Sequence, residues 1–163
     1  MKIYLASDHG GFEQKEQVKA FFQELETEIK IIDCGAKDLD PIDDYPDYAF
    51  DLAEKMTADA DFETEDIAAS NSKVLGLLFC RSGSGMVMAA NKVKGIRAVE
   101  LYDEKIAEHA KSHNYANVLA FGSNYLEFEE VIKILEKYLK TDFDRDLRHR
   151  RRVSKISDYE LDK

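Results

Sequence analysis

Residues Val74 to Phe79, VLGLLF, form an apolar run with no charged or hydroxyl side chain. A strand wetted on one side alternates apolar and polar residues. An unbroken run of this length reads instead as a strand buried on both faces, the kind found in parallel sheets with helices above and below. The run ends at Cys80 and meets a glycine-rich turn, Arg81-Ser82-Gly83-Ser84-Gly85, after which Met86 to Asn91 can open a helix. Cys80 then stands at the carboxyl end of a strand, facing a helix N-terminus. Ligands of open α/β sheets bind at that place, and the N–H groups of such a turn can hold an anion. Free cysteine is also among the most buried residue types, so position alone leaves a structural Cys80 equally open.

The rest of the chain alternates in the same sense. Strand patterns at Ile3–Ser7, Ile29–Asp33, Ile96–Leu101 and Val118–Phe121 flank the central run. Between them Phe12–Leu25 carries Phe12, Val18, Phe21, Phe22 and Leu25 at helical spacing, with charges between. Pro46 suits the first turn of a helix reaching to about Met56. Glu104–Ser112, Leu126–Leu139 and Leu147–Ile156 read as further helices. Ala58–Ser72, acidic and weakly periodic, reads as a solvated excursion. Strands alternating with helices predict one α/β domain, a parallel sheet with helices on both faces.

Charge narrows the partners. The 163 residues carry a net charge of -10, which argues against nucleic acid or an acidic membrane surface. No apolar run approaches the roughly 20 residues needed to span a bilayer. The N-terminal segment reads as a strand and not as a signal peptide, so Cys34 and Cys80 are expected as free thiols in the cytoplasm. No Cys/His spacing suits structural zinc. The tail is the exception: five of the seven arginines fall within Arg145–Arg152, and RHRRR alone carries +4, leaving -14 on the rest. On a helix Arg148 and Arg152 share a face, and arginine's planar fork suits phosphate. A basic surface helix neutralised by the acidic body explains the same residues.

Taken singly, the polar candidates have plain structural readings. Asp8 suits a helix N-cap, Asn114 a C-cap, and His113 the carboxyl end of a helix, where it complements the dipole. The GSG turn lacks the glycine spacings of nucleotide sites. Residue chemistry alone yields an α/β domain able to bind an anion.

Taken in order, SDHGGFEQK, DYPDYA, LLFCRSGSGM with AANK, GIRA, SHNYANVLAFGS and RHRRRV resemble the motif set of the B-type ribose-5-phosphate isomerases. The family also includes galactose-6-phosphate isomerase subunits, and the likeness runs from about Lys2 to Ile156. It implies a Rossmann-like three-layer sandwich with a five-stranded parallel sheet over residues 1–140. Residues 141–163 become an arginine-rich helical extension packing on a partner subunit, in a homodimer or tetramer with shared active sites. It implies metal-free, cofactor-free interconversion of ribose 5-phosphate and ribulose 5-phosphate through an enediolate. Cys80 matches the base, and a helix N-terminus can lower its pKa enough to supply thiolate. Ser82 replaces a threonine whose hydroxyl moves protons between the sugar oxygens. His113 matches the residue that opens the furanose ring, with Asp8 and Asn114 holding sugar oxygens. Backbone N–H groups across Arg81, Gly83, Ser84 and Gly85 match an anion hole, and Tyr45 a substrate-side aromatic. His9, with Arg148 and Arg152 of a partner, matches the phosphate clamp.

The chain departs from that pattern at three places. Arg81 stands where the family usually has glycine, and is unfavourable if the position requires positive φ. Asn124 stands where many members have a phosphate-binding arginine, so Arg81 is expected to compensate for it. The acidic excursion is longer than the usual link. A hexose 6-phosphate substrate (allose or galactose 6-phosphate), or a silent sugar-phosphate-binding protein, stays open as an alternative.

Overall fold

The computed structural model describes residues 1–25, 28–62 and 73–161. Strands β1 (Lys2–Ser7), β2 (Lys30–Asp33), β3 (Val74–Cys80), β4 (Ala98–Glu100) and β5 (Val118–Gly122) alternate with helices. These are α1 (Phe12–Glu24), α2 (Tyr45–Thr57), α3 (Ser84–Ala90), α4 (Glu104–Ser112) and α5 (Phe128–Lys140), followed by α6 (Leu147–Leu161). The strands form one parallel sheet in the order β2-β1-β3-β5-β4. No helix among the described residues is long and apolar enough to cross a membrane.

The central strand explains the layering. All seven residues of β3 are buried. Leu75, Leu77 and Phe79 join Val18 of α1 and Val131, Ile134 and Leu135 of α5 in one core. Val74, Leu78 and Cys80 join Leu52 and Met56 of α2 and Met86 of α3 in the other. The period of two sends successive side chains into opposite cores, as an apolar strand without polar breaks requires. The expected three-layer sandwich is the fold.

Local chemistry sets the ends of several elements. Pro46 lies in the first turn of α2, and the Asp103 carboxylate caps α4 by accepting from Ile106 N–H at 2.7 Å. A capping box of Glu127 and Glu130 starts α5 at Phe128, two residues after the expected Leu126. The chain first turns back there, with Leu126 N–H donating to Gly122 C=O at 3.1 Å. β4 is shorter than Ile96–Leu101. Side-chain amides take over part of its ladder: Asn91 bonds both N–H and C=O of Ala98, and Asn117 Oδ1 accepts from Arg97 N–H.

Two charged groups sit deeper than expected. Lys15 of α1 is fully buried, its Nζ 3.0 Å from Asp33 and 2.8 Å from Glu16, while donating to Ala36 C=O at 2.6 Å. Asp59, placed by sequence in a solvated excursion, accepts from Lys2 and Tyr4, and Phe62 packs on the α2–α3 core. Residues 63–72 of that excursion lie outside the described residues.

Leu78 is fully buried between β3 and α2–α3. Truncating it to alanine removes transfer energy and leaves a cavity, so Leu78→Ala is expected to lose about 2–5 kcal/mol in denaturant titration.

Candidate active site

Connections leave β1 and its neighbour β3 in opposite directions along the sheet. From β1 the chain steps outward to β2, then returns to β3 on the other side of β1. The crevice between the carboxyl ends of β1 and β3 is therefore the topological switch point, where ligands of open α/β sheets bind. The pairing of Ser7 with Phe79 makes the next residues, Asp8 and Cys80, neighbours in that crevice. Both are buried, and the Asp8 carboxylate accepts from Gly11 N–H at 3.1 Å.

The turn after β3 closes on the thiol. Gly83, at φ +88°, donates its N–H to Cys80 Sγ at 3.0 Å, and α3 begins at the next residue. Burial pushes the Cys80 thiol above its ordinary pKa. The backbone N–H groups of Gly83, Ser82 and Met86 oppose that shift, and the negative charge of Asp8 adds to it. A thiol brought low by the helix terminus is thus not what the chain holds: burial beside a carboxylate outweighs the amides. Burial also raises Asp8, against its bond from Gly11 N–H.

Tyr45, at the start of α2, lies over the same turn. A β-carbon on Gly85 would sit 2.7 Å from its Cζ, so only glycine lets the ring approach. The Ser84 hydroxyl donates to Glu100 Oε2, at the end of β4, at 2.7 Å. Glu100 Oε1 is buried without a hydrogen-bond partner among the described residues.

His9 is oriented by Asp43, which accepts from His9 N–H at 3.1 Å and stands 2.6 Å from its Nδ1. Arg81 has ordinary backbone, since Tyr115 is the one non-glycine residue of positive φ among the described residues. Arginine is therefore unstrained there. Its Cγ lies over Gly10, where a β-carbon would be 2.4 Å away. An open cleft of about 540 Å³ is lined by His9, Gly10, Gln14, Arg81, Ser123 and Asn124. Asn124 N–H donates to Arg81 C=O at 3.0 Å, and Ser123 Oγ donates to Gly10 C=O at 2.6 Å. Arg81 and Asn124 thus line one cleft.

His113 and Asn114 lie elsewhere. Helix α4 leaves the carboxyl edge of the sheet after β4 and runs antiparallel to the strands, so its nine residues carry the chain about 13 Å back. His113 caps its far end, at the edge where β5 begins. His113, Asn114 and α6 therefore share the edge opposite Cys80. One chain does not bring Cys80 and His113 into one site, although the sequence motifs read as one constellation.

At that second edge the His113 ring stacks on His149 at 4.1 Å and on His109 at 4.8 Å. Burial, then its two imidazole neighbours, hold His113 below the ordinary histidine pKa. Arg148 donates through Nε to His149 Nε2 at 3.2 Å and pairs with Asp146 at 3.0 Å. Arg152 and Asn114 are exposed. Asp43, Glu100 and His149 were missed in the sequence. Asp43 is one of five aspartates between Asp38 and Asp47, and nothing in their spacing selects it.

The Cys80 environment has a direct readout. In a Cys34→Ser background, iodoacetamide alkylation should rise with pH beyond the range of an ordinary thiol. Asp8→Asn removes the charge that disfavours thiolate, so alkylation at neutral pH should be faster. A slower or unchanged rate would count against Asp8 acting on the thiol.

The chain matches the Ribose/Galactose Isomerase family model over residues 3–156. It is 44% identical over 161 residues to a Mycoplasma pneumoniae protein named as a probable ribose-5-phosphate isomerase B, covering 99% of this chain and 96% of that one. Among solved structures it resembles ribose-5-phosphate isomerase B from Mycoplasma genitalium with bound ribulose-5-phosphate (TM-score 0.84, 37% identity, 99% and 97% of the two chains). The Clostridium thermocellum ribose-5-phosphate isomerase B gives 0.83 at 31% identity, covering 99% of each chain. A match over nearly the whole chain, on a fold whose switch point holds Asp8, His9 and Cys80, means that this chain belongs to the ribose/galactose isomerase family.

Proposed function

We propose that this isomerase interconverts ribose 5-phosphate and ribulose 5-phosphate with Cys80 as base and no metal taking part. The observation that carries the reading is the buried Cys80 thiol beside Asp8, on a turn whose N–H groups face the sulfur. In the open-chain aldose, the thiolate removes the proton from C2. The electron pair moves into the C1–C2 bond, and the C1 carbonyl oxygen becomes the enediolate anion. Backbone N–H groups across residues 81–85 stabilise that anion, for which a single well-placed donor can contribute about 3 kcal/mol. The Ser82 hydroxyl carries a proton from O2 to O1. The thiol then returns its proton to C1, leaving the carbonyl at C2. A raised thiol pKa makes the thiolate scarcer and more basic, which suits abstraction from carbon.

The same reading needs a second copy. Asp8, His9, Tyr45 and Arg81 surround the switch point, with Arg81 and His9 facing the cleft where the phosphate would lie. His113 for ring opening, Asn114 for a sugar oxygen, and Arg148 and Arg152 for the phosphate come from the opposite edge of a symmetry mate. A two-fold dimer joins the two edges reciprocally and makes two complete sites. A hexose 6-phosphate would use the same groups, so substrate ranking belongs to the assay.

With a chelator present, ribose 5-phosphate should still yield ribulose 5-phosphate. Cys80→Ala should lower kcat at least about 100-fold, as loss of a general base does. No turnover by the unaltered protein on any sugar phosphate it binds would favour a silent binding protein.

Mixing tests the shared site separately. Cys80→Ala and His113→Ala chains are each expected to be inactive. Unfolded and refolded together in equal amounts, they should recover about a quarter of normal activity, from the one intact site in each mixed dimer. No recovery, in a mixture shown to contain mixed dimers, would mean that both residues act within one chain.

A further inference from the structure

Three segments bring nitrogen and oxygen ligands to one point on the second edge. His113 Nε2 lies 3.9 Å, and His149 Nε2 3.6 Å, from the same Asp144 carboxylate oxygen, Oδ2. One ligand atom from each of the three residues can be chosen so that all lie within 4.8 Å of one another. The two imidazoles are nearly parallel, 6° apart, so they cannot donate to each other through their edges. Both nitrogens are too far from the carboxylate for hydrogen bonds. His149 Nε2 accepts from Arg148 Nε–H, which fixes that nitrogen as the lone-pair-bearing atom, the form in which imidazole binds metal. Lone pairs of an imidazole and a carboxylate thus face a common space beside a second imidazole.

From this convergence we propose a site for a divalent transition-metal ion of the zinc class, held by His113, Asp144 and His149. Two imidazoles and one carboxylate match the three-ligand zinc set that leaves a fourth position open, and they disfavour magnesium or calcium, which take oxygen ligands. Tetrahedral bonds of about 2.0–2.1 Å put ligand atoms roughly 3.3 Å apart. The carboxylate edges, at 3.9 and 3.6 Å, are close to that spacing. The imidazoles, stacked at 4.1 Å and 6°, rotate out of their stack on binding, since a metal lies in the plane of each ring that holds it.

The backbone around the site is already pinned. Asp144 N–H donates to Ser112 C=O at 3.0 Å, Tyr115 OH donates to Asp144 C=O at 2.6 Å, and His149 N–H donates to Asp146 C=O at 3.0 Å. Arg148 is the competitor, since its Nε–H occupies the His149 lone pair and its charge repels a cation. It is exposed and keeps its Asp146 partner when it turns away.

The consequence rests on the isomerase reading above. A metal at this site takes the His113 lone pair that ring opening requires, so it inhibits without touching Cys80. Metal-free chemistry and metal sensitivity then belong to one protein.

The experiment uses the full chain, stripped with chelator and titrated with zinc by calorimetry, then with cobalt to read the visible bands of a low-coordinate site. One equivalent per chain is expected. Asp144→Asn, which keeps shape and removes the charge, should weaken binding tenfold or more, and His109→Ala, outside the ligand set, should leave it unchanged. In the ribose 5-phosphate assay, zinc should inhibit the unaltered enzyme reversibly, and Asp144→Asn should keep basal turnover while resisting zinc. Absence of binding overturns the proposal, and so does zinc binding that survives Asp144→Asn but is lost in Cys80→Ser. Because titration does not depend on turnover, failure of the isomerase reading would leave this result standing on its own.

Discussion

The parallel pairing of β1 with β3 is the contact on which the site depends. It sets Ser7 opposite Phe79, and so makes a carboxylate and a thiol neighbours just past the ends of two central strands. A slip of one residue would turn Cys80 from the α2–α3 core into the α1–α5 core, away from Tyr45 and Met86. Register is held by the apolar alternation of β3, because every residue of that strand is buried and has a side on which it must lie. Packing of the core therefore specifies the geometry of the chemistry. The interaction that results is a strained one electrically. Asp8 and burial both oppose the thiolate, and three backbone N–H groups only partly offset them. The base proposed for Cys80 needs this balance: a thiolate stabilised too well by its surroundings would be abundant and weak.

Much of this was legible in the residues. VLGLLF announced a doubly covered strand, and its neighbours alternated with helices in the pattern of a parallel sheet, so layer structure and element order followed. Boundaries failed where side chains replaced backbone. Asn91 and Asn117 supply bonds that strand neighbours would otherwise make, shortening β4 in a way that apolar periodicity cannot register. Lys15 was hidden for a similar reason. Its burial depends on Asp33 from β2 and the Ala36 carbonyl, partners distant in sequence from the helix that carries it.

The site was legible by residue type and misleading by position. Asp8, His9, Cys80 and Arg81 do gather at the switch point, because each follows the carboxyl end of a strand. SHN belongs with them by motif, yet it follows a helix, and a helix returning from the carboxyl edge ends at the opposite one. The order β4-α4-β5 alone gives the direction of α4 and separates the two groups.

Under the proposed function, that separation ties chemistry to assembly. Helix α6 carries Arg148 and Arg152, but only His149 and Val153 of its fifteen residues are buried. His149 does two things at once: it seats the first turn of α6, and its ring stacks on His113. Any change in how α6 is seated must therefore move the imidazole next to His113, and with it the basicity of the ring. The arginine-rich segment is thus coupled to His113 through one aromatic contact. The acidic body, -14 without RHRRR, draws that basic helix back toward the protein surface and disfavours its capture by a polyanion. In the proposed dimer, a small dianion seated beside Arg81 and His9 would concentrate negative charge where a second copy's arginines reach it, so that substrate and assembly would stabilise each other by the same charges.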